Sequence, residues 1–257
     1  VVPDRTEITV IRDRFLSSAE GKLRLLESLG LRPEDSVVLE VGCGEGYMTT
    51  ALGALGVGHA VGLDSRSKTY ESVCERPLVL ESISSANGGG RNTALLIWGD
   101  AMSLPFSDRS VDLVHSAAVL EHIRELEPAL SEMYRVLKPG GFAYHHVGPW
   151  FGPGGGHSMC NLDFPWGHAR LSSEEFRDYV SEYRPLELNK AMDFYDNYFQ
   201  VPRLTIAEVQ ALVLKHGFEI KSWDEKSSKF RAHYEFLDMQ ILDECRRHFP
   251  NVTVRDL

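Results

Sequence analysis

The 257-residue sequence predicts an α/β fold, a doubly wound, mostly parallel sheet within a single domain covering residues 1–257. Three observations predict it. Short apolar runs alternate with helical patterns, the order produced by a parallel sheet covered by helices. A glycine-rich turn follows the first apolar run directly. Aspartates close the second and third runs, at the carboxyl strand ends where open α/β sheets meet their ligands.

The elements follow in order. RDRFLSSAEGKLRLLESL, residues 12–29, has helical spacing and is closed by Gly30. SVVLEV, 36–41, is a buried strand running into the glycines, and YMTTALGAL, 47–55, is the helix beyond them. HAVGLD, 59–64, is a second strand and TALLIWGD, 93–100, a third, with SSANGGGRN as a flexible loop between them. VDLVHS, 111–116, is a fourth strand, and ALSEMYRVL a helix stopped by the turn KPGG. GFAYHHV, 141–147, is a fifth strand. Residues 148–202 keep no clean period and are crowded with Gly, Pro and aromatics, the mark of an insertion or substrate lid. TIAEVQALVLKHG resumes as helix and FEIKSWDE, 218–225, as strand.

Composition removes several function classes. A formal net charge of −10 without any Lys/Arg stripe argues against nucleic acid and against an anionic membrane surface. No stretch approaches the roughly 18 apolar residues of a membrane span, and VVPDRTEITV has no apolar signal core. A first residue other than Met leaves room for a segment ahead of it. Cys43, Cys74, Cys160 and Cys245 are scattered with no CxxC pair, so neither a disulfide framework nor a thiolate zinc site is expected, and a reducing cytoplasm fits.

The chemistry begins at VLEVGCGEG, residues 38–46. A strand that turns at once into a helix against a ligand needs the freedom of Gly42, Gly44 and Gly46. The spacing is GxGxG with Glu40 inside the strand, not the GxGxxG that seats a pyrophosphate on a helix N-terminus. Asp64 follows about 20 residues later, where a carboxylate can accept both hydroxyls of a ribose. Asp100 ends the third strand and can take an amine proton from adenine. Alone, each Asp reads as a solvated strand end or a cap; together they mark one edge.

These motifs resemble the class I S-adenosylmethionine-dependent methyltransferases. VLEVGCGEG is similar to their glycine-rich motif, VGLD to their acidic ribose motif, and GDAMSLPFSDRSVDLVHSAAVLEHI to their adenine and fourth-strand block. MYRVLKPGG is similar to the turn before their fifth strand. The resemblance covers residues 22–147, and 204–224 more loosely. It implies a Rossmann-like, mostly parallel seven-stranded sheet with an insertion after the fifth strand. FPNVTVRDL, 249–257, reads as the approach to the antiparallel last strand. The implied cofactor is S-adenosylmethionine, with S-adenosylhomocysteine as product. Glu40, Gly42, Cys43 and Gly44 would face its methionine part, Asp64 and Ser65 its ribose, and Asp100 with the Ala101 backbone its adenine. Ser116 would lie beside the sulfonium. A nicotinamide oxidoreductase is disfavoured by the GxGxG spacing and by Asp100.

The acceptor is narrowed by what is missing. Members that methylate planar amide or nucleobase nitrogens carry an Asn/Asp-Pro-Pro-aromatic turn after the fourth strand, where this sequence reads SAAV. The insertion, with GHSMCNLDFPWGHARLSSEEF, resembles small-molecule methyltransferases of sugar and natural-product pathways. A phenol costs about 4 kcal/mol to ionise at neutral pH, and an aliphatic alcohol about three times that, so hydroxyl acceptors want a base, for which His is the usual choice. His146 is the first choice, with His122 and His157 in reserve; neighbouring strand residues face opposite sides, so only one of His145 and His146 faces a given side. Structural hydrogen bonding is the ordinary role of a strand-end His, and only the cluster favours catalysis. Glu121 and His122 with His145 or His146 have the donor chemistry for a divalent metal, but the second acid of enzymes with such a pair is replaced by Ala118, so no metal is expected. Trp150, Phe151, Phe164, Trp166, Phe194, Tyr195, Tyr198 and Phe199 read mainly as a local core with a few pocket walls. The expected activity is methyl transfer to a hydroxyl of a small molecule. Transfer to an amine or carboxylate, and a non-catalytic cofactor-binding partner subunit, are the alternatives.

Overall fold

The structure is a computed structural model that describes residues 5–65, 76–86, 94–153, 162–196, 203–225 and 231–257. The chain forms two compact units, Val1–Val119 with Pro128–His145, and Leu120–Glu127 with His146–Leu257.

The first unit is built on five strands: β1 (Val37–Val41), β2 (His59–Asp64), β3 (Leu95–Trp98), β4 (Val111–Ala117) and β5 (Leu137–His146), in the order β3-β2-β1-β4-β5. The ladders of β1 with β2, β1 with β4 and β2 with β3 are all parallel. Connections run outward in opposite directions from β1 and β4, so the switch in strand order lies between them. That crevice is where a doubly wound sheet takes its ligand. Helices α1 (Arg5–Ser28), α2 (Tyr47–Ala54) and α3 (Arg76–Ser84) share one core with Val38 and Leu113 of the sheet. Ala19 and Leu26 of α1 and Ala51 and Leu52 of α2 are fully buried there. Helix α4 (Leu126–Val136) runs directly into β5, and its Arg135 ties down the preceding loop through Glu132, Asp108 and the carbonyls of Leu104 and Phe106.

The second unit is helical among its described residues: α5 (Gly167–Arg170), α6 (Ser173–Tyr183), α7 (Leu188–Phe194), α8 (Ile206–Lys215) and α9 (Met239–Arg246). Its core is aromatic, with Trp150, Phe151, Trp166, Phe176 and Tyr195 buried together. Phe176 and Tyr195 stack at 4.3 Å, and Trp166 donates its indole N–H to the Leu257 carbonyl at 3.1 Å.

Seven of the expected elements appear within a few residues of their expected limits, β1, α2, β2, β3, β4, α4 and α8, while the first helix begins at Arg5, well before its expected start at residue 12. The seven-stranded expectation is corrected, because the described residues carry five strands. FEIKSWDE forms no strand; Phe218 and Ile220 are only half-buried, and alternation makes a strand only where a neighbour supplies a ladder. FPNVTVRDL ends in turns instead of a closing strand, with Val252 and Leu257 inserted into the helical core. Strand β5 begins at Leu137, so KPGG lies within it, with Gly140 at φ 79°. The described part of residues 148–202 holds three α-helices, and α3 fills part of the stretch before β3. The core aromatics of the insertion behave as the local core expected of them; Tyr198 and Phe199 lie outside the described residues.

Leu113, fully buried on β4 against the helical core, tests how much that sheet face contributes. Leu113→Ala is expected to lower stability by about 2–5 kcal/mol in urea unfolding, with the folded baseline intact.

Candidate functional site

The carboxyl edge of the sheet is organised around Gly42–Gly46. Gly42, Gly44 and Gly46 all have positive φ, at 72°, 52° and 83°, and Gly46 opens α2. Gly42 has a second reason to lack a side chain: a Cβ there would lie 2.6 Å from a methyl of Val119, in the segment leaving β4. That segment holds Ala118 at φ 55°, in the left-handed region.

The turn's own N–H groups are consumed by β2. Gly42 and Cys43 donate to the Leu63 carbonyl at 2.7 and 3.1 Å, and Gly44 donates to Asp64 Oδ2 at 2.7 Å. Burial raises the Asp64 carboxyl above the ordinary range, and the Gly44 N–H holds it back. Burial also pushes the Cys43 thiol up to about 12, which leaves it protonated and inert. Ser65 is exposed just beyond Asp64.

Glu40 is buried and accepts from the Thr49 hydroxyl of α2. Burial raises its pKa to about 7 against the Thr49 bonds and the charge of Lys22. Asp100 follows β3 after Gly99 and is exposed, with Oδ1 accepting from the Met102 N–H at 2.8 Å; Ala101 is half-buried in that turn. Three neighbouring strands β1, β2 and β3 thus carry Glu40, Asp64 and Asp100 at one edge. Such an edge accepts hydrogen bonds and suits a ligand that donates, through hydroxyls, an amine or an ammonium. S-adenosylmethionine has all three, so the residues present fit it.

Further along the edge, Ser116 is fully buried and its hydroxyl meets His145 Nδ1 at 2.8 Å. Burial first, and then the charge of Lys22, lowers His145 to about 4. On the opposite side of β4, His115 is 1% exposed and pairs in register with Glu40. Neither of its ring nitrogens has a hydrogen-bond partner among the described residues, and burial lowers its pKa to about 3. Lys22 of α1 sits 3.7 Å above the Tyr144 ring, and burial lowers it to about 8 against the pull of Glu40.

The second unit collects a different group. Leu120–His122 is a short 3-10 turn in which Glu121 is buried. Glu121 Oε1 accepts from the Gly148 N–H at 3.0 Å, and Oε2 is buried without a hydrogen-bond partner among the described residues. Burial raises its carboxyl, and the charges of His122 and His146 oppose the rise, so both imidazoles lie within electrostatic reach. Among the described residues no group of three His, Cys, Asp or Glu side chains has metal-binding geometry. His157 lies outside the described residues.

Sequence reasoning missed Lys22, Thr49, His115 and Tyr144. Lys22 carried a signal: it falls three residues after Ala19 and four before Leu26, on the buried stripe of α1, where a cation is out of place. His115 and Tyr144 carried none, because strand alternation sets a face without saying what that face meets.

Residues 39–145 match the family described as "Methyltransferase domain". An uncharacterised methyltransferase of Mycobacterium marinum is 35% identical over 140 residues, 54% of this chain and 49% of the relative. A Mycobacterium tuberculosis methyltransferase is 34% identical over 145 residues, 56% and 52% respectively. The chain therefore spans about half the length of the curated relatives it matches. Among solved structures, a SAM-dependent methyltransferase of Methanosarcina mazei is 28% identical over 44% of this chain and 52% of its own, with a TM-score of 0.35. A methyltransferase of Haloferax volcanii solved with its methyltransferase activator is 21% identical over 91% and 93%, with a TM-score of 0.47.

The raised Glu40 carboxyl makes a prediction for the ligand-free protein. Unfolded, it releases its proton near the ordinary glutamate value of 4.5; folded, near 7. Between those values the folded chain holds a proton that the unfolded chain has lost, so stability falls as pH rises through this window, by roughly 3 kcal/mol at about 1.36 kcal/mol per unit. Glu40→Gln is expected to remove that fall in urea titrations run from pH 5 to 8; an unchanged slope would count against the buried carboxyl.

Proposed function

Because residues 39–145 are a class I S-adenosylmethionine-dependent methyltransferase domain whose cofactor is S-adenosylmethionine, we propose that the chain transfers a methyl group to a hydroxyl of a small molecule. The bound cofactor supplies an electrophilic methyl on a sulfonium. Glu40 receives the ammonium end, Asp64 and Ser65 the ribose, and Asp100 with Ala101 the adenine, while Ser116 fixes the end of β4.

The observation that carries the hydroxyl reading is the grouping of Glu121, His122 and His146. A base for an alcohol needs an imidazole whose conjugate acid is supported by a carboxylate, and the buried Glu121 lies within electrostatic reach of both His122 and His146. His146 is therefore the base, with His122 and His157 in reserve. His145 is the wrong partner although it is adjacent: Nδ1 is spent on Ser116, and a pKa near 4 makes it a weak proton acceptor. The SAAV segment at the end of β4 and the net charge of −10 support a small molecule over a nucleobase or polyanion.

Two measurements test this. Calorimetric titration with S-adenosylhomocysteine is expected to give micromolar binding that Asp64→Ala abolishes, with NADH giving none. Labelled methyl should then appear as an ether on members of a hydroxylated panel, and His146→Ala should lower kcat by about a hundredfold or more while cofactor affinity holds. Label found only on amines, or in base-labile esters, would replace the hydroxyl by those acceptors. Unchanged turnover in His146→Ala would remove it from the mechanism.

A further inference from the structure

The second unit holds a guanidinium with a hydrogen-bonding edge that no described residue uses. Arg203 precedes α8, and its Cζ lies 5.2 Å from the centroid of Trp150 and 5.5 Å from that of Phe249. The two rings are 5.0 Å apart and tilted by 59°, and Phe151 stands against both at 4.9 and 5.2 Å. Within this aromatic setting Nε and Nη2 are buried and have no hydrogen-bond partner among the described residues.

The identity of the two atoms matters. Nε–H and Nη2–H lie on one edge of the guanidinium and point the same way, at the spacing of the two oxygens of a carboxylate. Aromatic faces attract the charge but accept none of these protons in the plane. A guanidinium cannot shed its proton to escape the cost of burial, so its donors call for an acceptor.

Charge and shape select the acceptor. His168 is the nearby candidate for a second cation, with its ring 4.7 Å from that of Trp150. Its Nε2 donates to the Trp150 carbonyl at 2.8 Å, and burial lowers its pKa to about 4, which keeps it neutral. A paired, planar donor edge walled by rings suits a planar carboxylate with an apolar body better than a tetrahedral phosphate.

We propose that Arg203 anchors a carboxylate-binding site in the second unit, taking a small aromatic or apolar carboxylic acid whose body lies against Trp150, Phe151 and Phe249. Nε and Nη2 are closed from solvent, so the acid enters only when the atoms covering them move. The site goes beyond methyl transfer and stands without it.

The test uses benzoate as probe and benzamide as its neutral counterpart, followed by calorimetry and tryptophan fluorescence on the whole chain. Wild type should bind benzoate saturably and ignore benzamide. Arg203→Lys, which keeps the charge but loses the paired edge, should weaken benzoate at least tenfold, and Arg203→Met should abolish it. Both variants should keep wild-type circular dichroism and S-adenosylhomocysteine affinity. No benzoate binding by wild type, or equal binding by Arg203→Met, overturns the proposal. Loss of S-adenosylhomocysteine binding in a folded Arg203 variant also overturns it, by assigning the guanidinium to the cofactor's own carboxylate. Should Arg203→Met fail to fold, the lysine variant decides.

Discussion

The end of β2 fixes the chemistry of this protein by taking up the N–H groups of the turn after β1. Leu63 O receives Gly42 and Cys43, and Asp64 receives Gly44. A glycine turn at a strand end can serve an anion when its amides point outward, as in phosphate cradles. Here three successive amides are already satisfied inside the protein, and what remains at the edge is carboxylate. The selectivity follows from this difference. A pyrophosphate would find those three amides taken and would face Glu40, Asp64 and Asp100, whereas a ligand rich in hydroxyls and amines would find acceptors on three adjacent strands.

How much of this was legible depends on how local the cause was. Gly42 and Gly46 were readable because positive φ is written into the residue type, and HAVGLD because a buried parallel strand is a continuous apolar run. The helices of 148–202 were not read, although LSSEEF contained a signal. Ser172 and Glu175 form a reciprocal capping box at the start of α6, the same device that Thr205 and Glu208 use at α8. Aromatics distributed around α6 and α7 blurred the helical period that would have confirmed it. FEIKSWDE failed for the opposite reason: its alternation was local and clear, but a strand is a relation between two segments, and the second segment is not written in the first.

The histidines show the same division at finer scale. Period-two geometry puts His145 and His146 on opposite sides of β5, and their surroundings differ: His145 meets the Ser116 hydroxyl, while Glu121 lies within electrostatic reach of His146. It equally separates His115 from Ser116 on β4. What the sequence lacked was the surroundings: nothing in VDLVHS tells that Ser116 meets an imidazole, or that His115 is sealed beside Glu40. Placement came from alternation, and chemistry came from packing.

Lys22 and Glu40 carry this point to its consequence. Their charges attract, but Glu40 is hydrogen-bonded to Thr49 and Lys22 lies over Tyr144, so neither gains a direct ion pair with the other. Burial therefore outweighs attraction on both sides, drawing the lysine down to about 8 and the glutamate up to about 7. At neutral pH a carboxyl with a pKa near 7 costs almost nothing to ionise. An ammonium arriving at Glu40 would thus keep nearly the whole of its electrostatic gain, because the protein has already borne the cost of holding that carboxyl out of water. A glutamate with an ordinary pKa would start ionised and solvated, and the same contact would be weakened by stripping its water. The buried, half-protonated Glu40 is a prepared acceptor, and it is prepared by the helix that covers it.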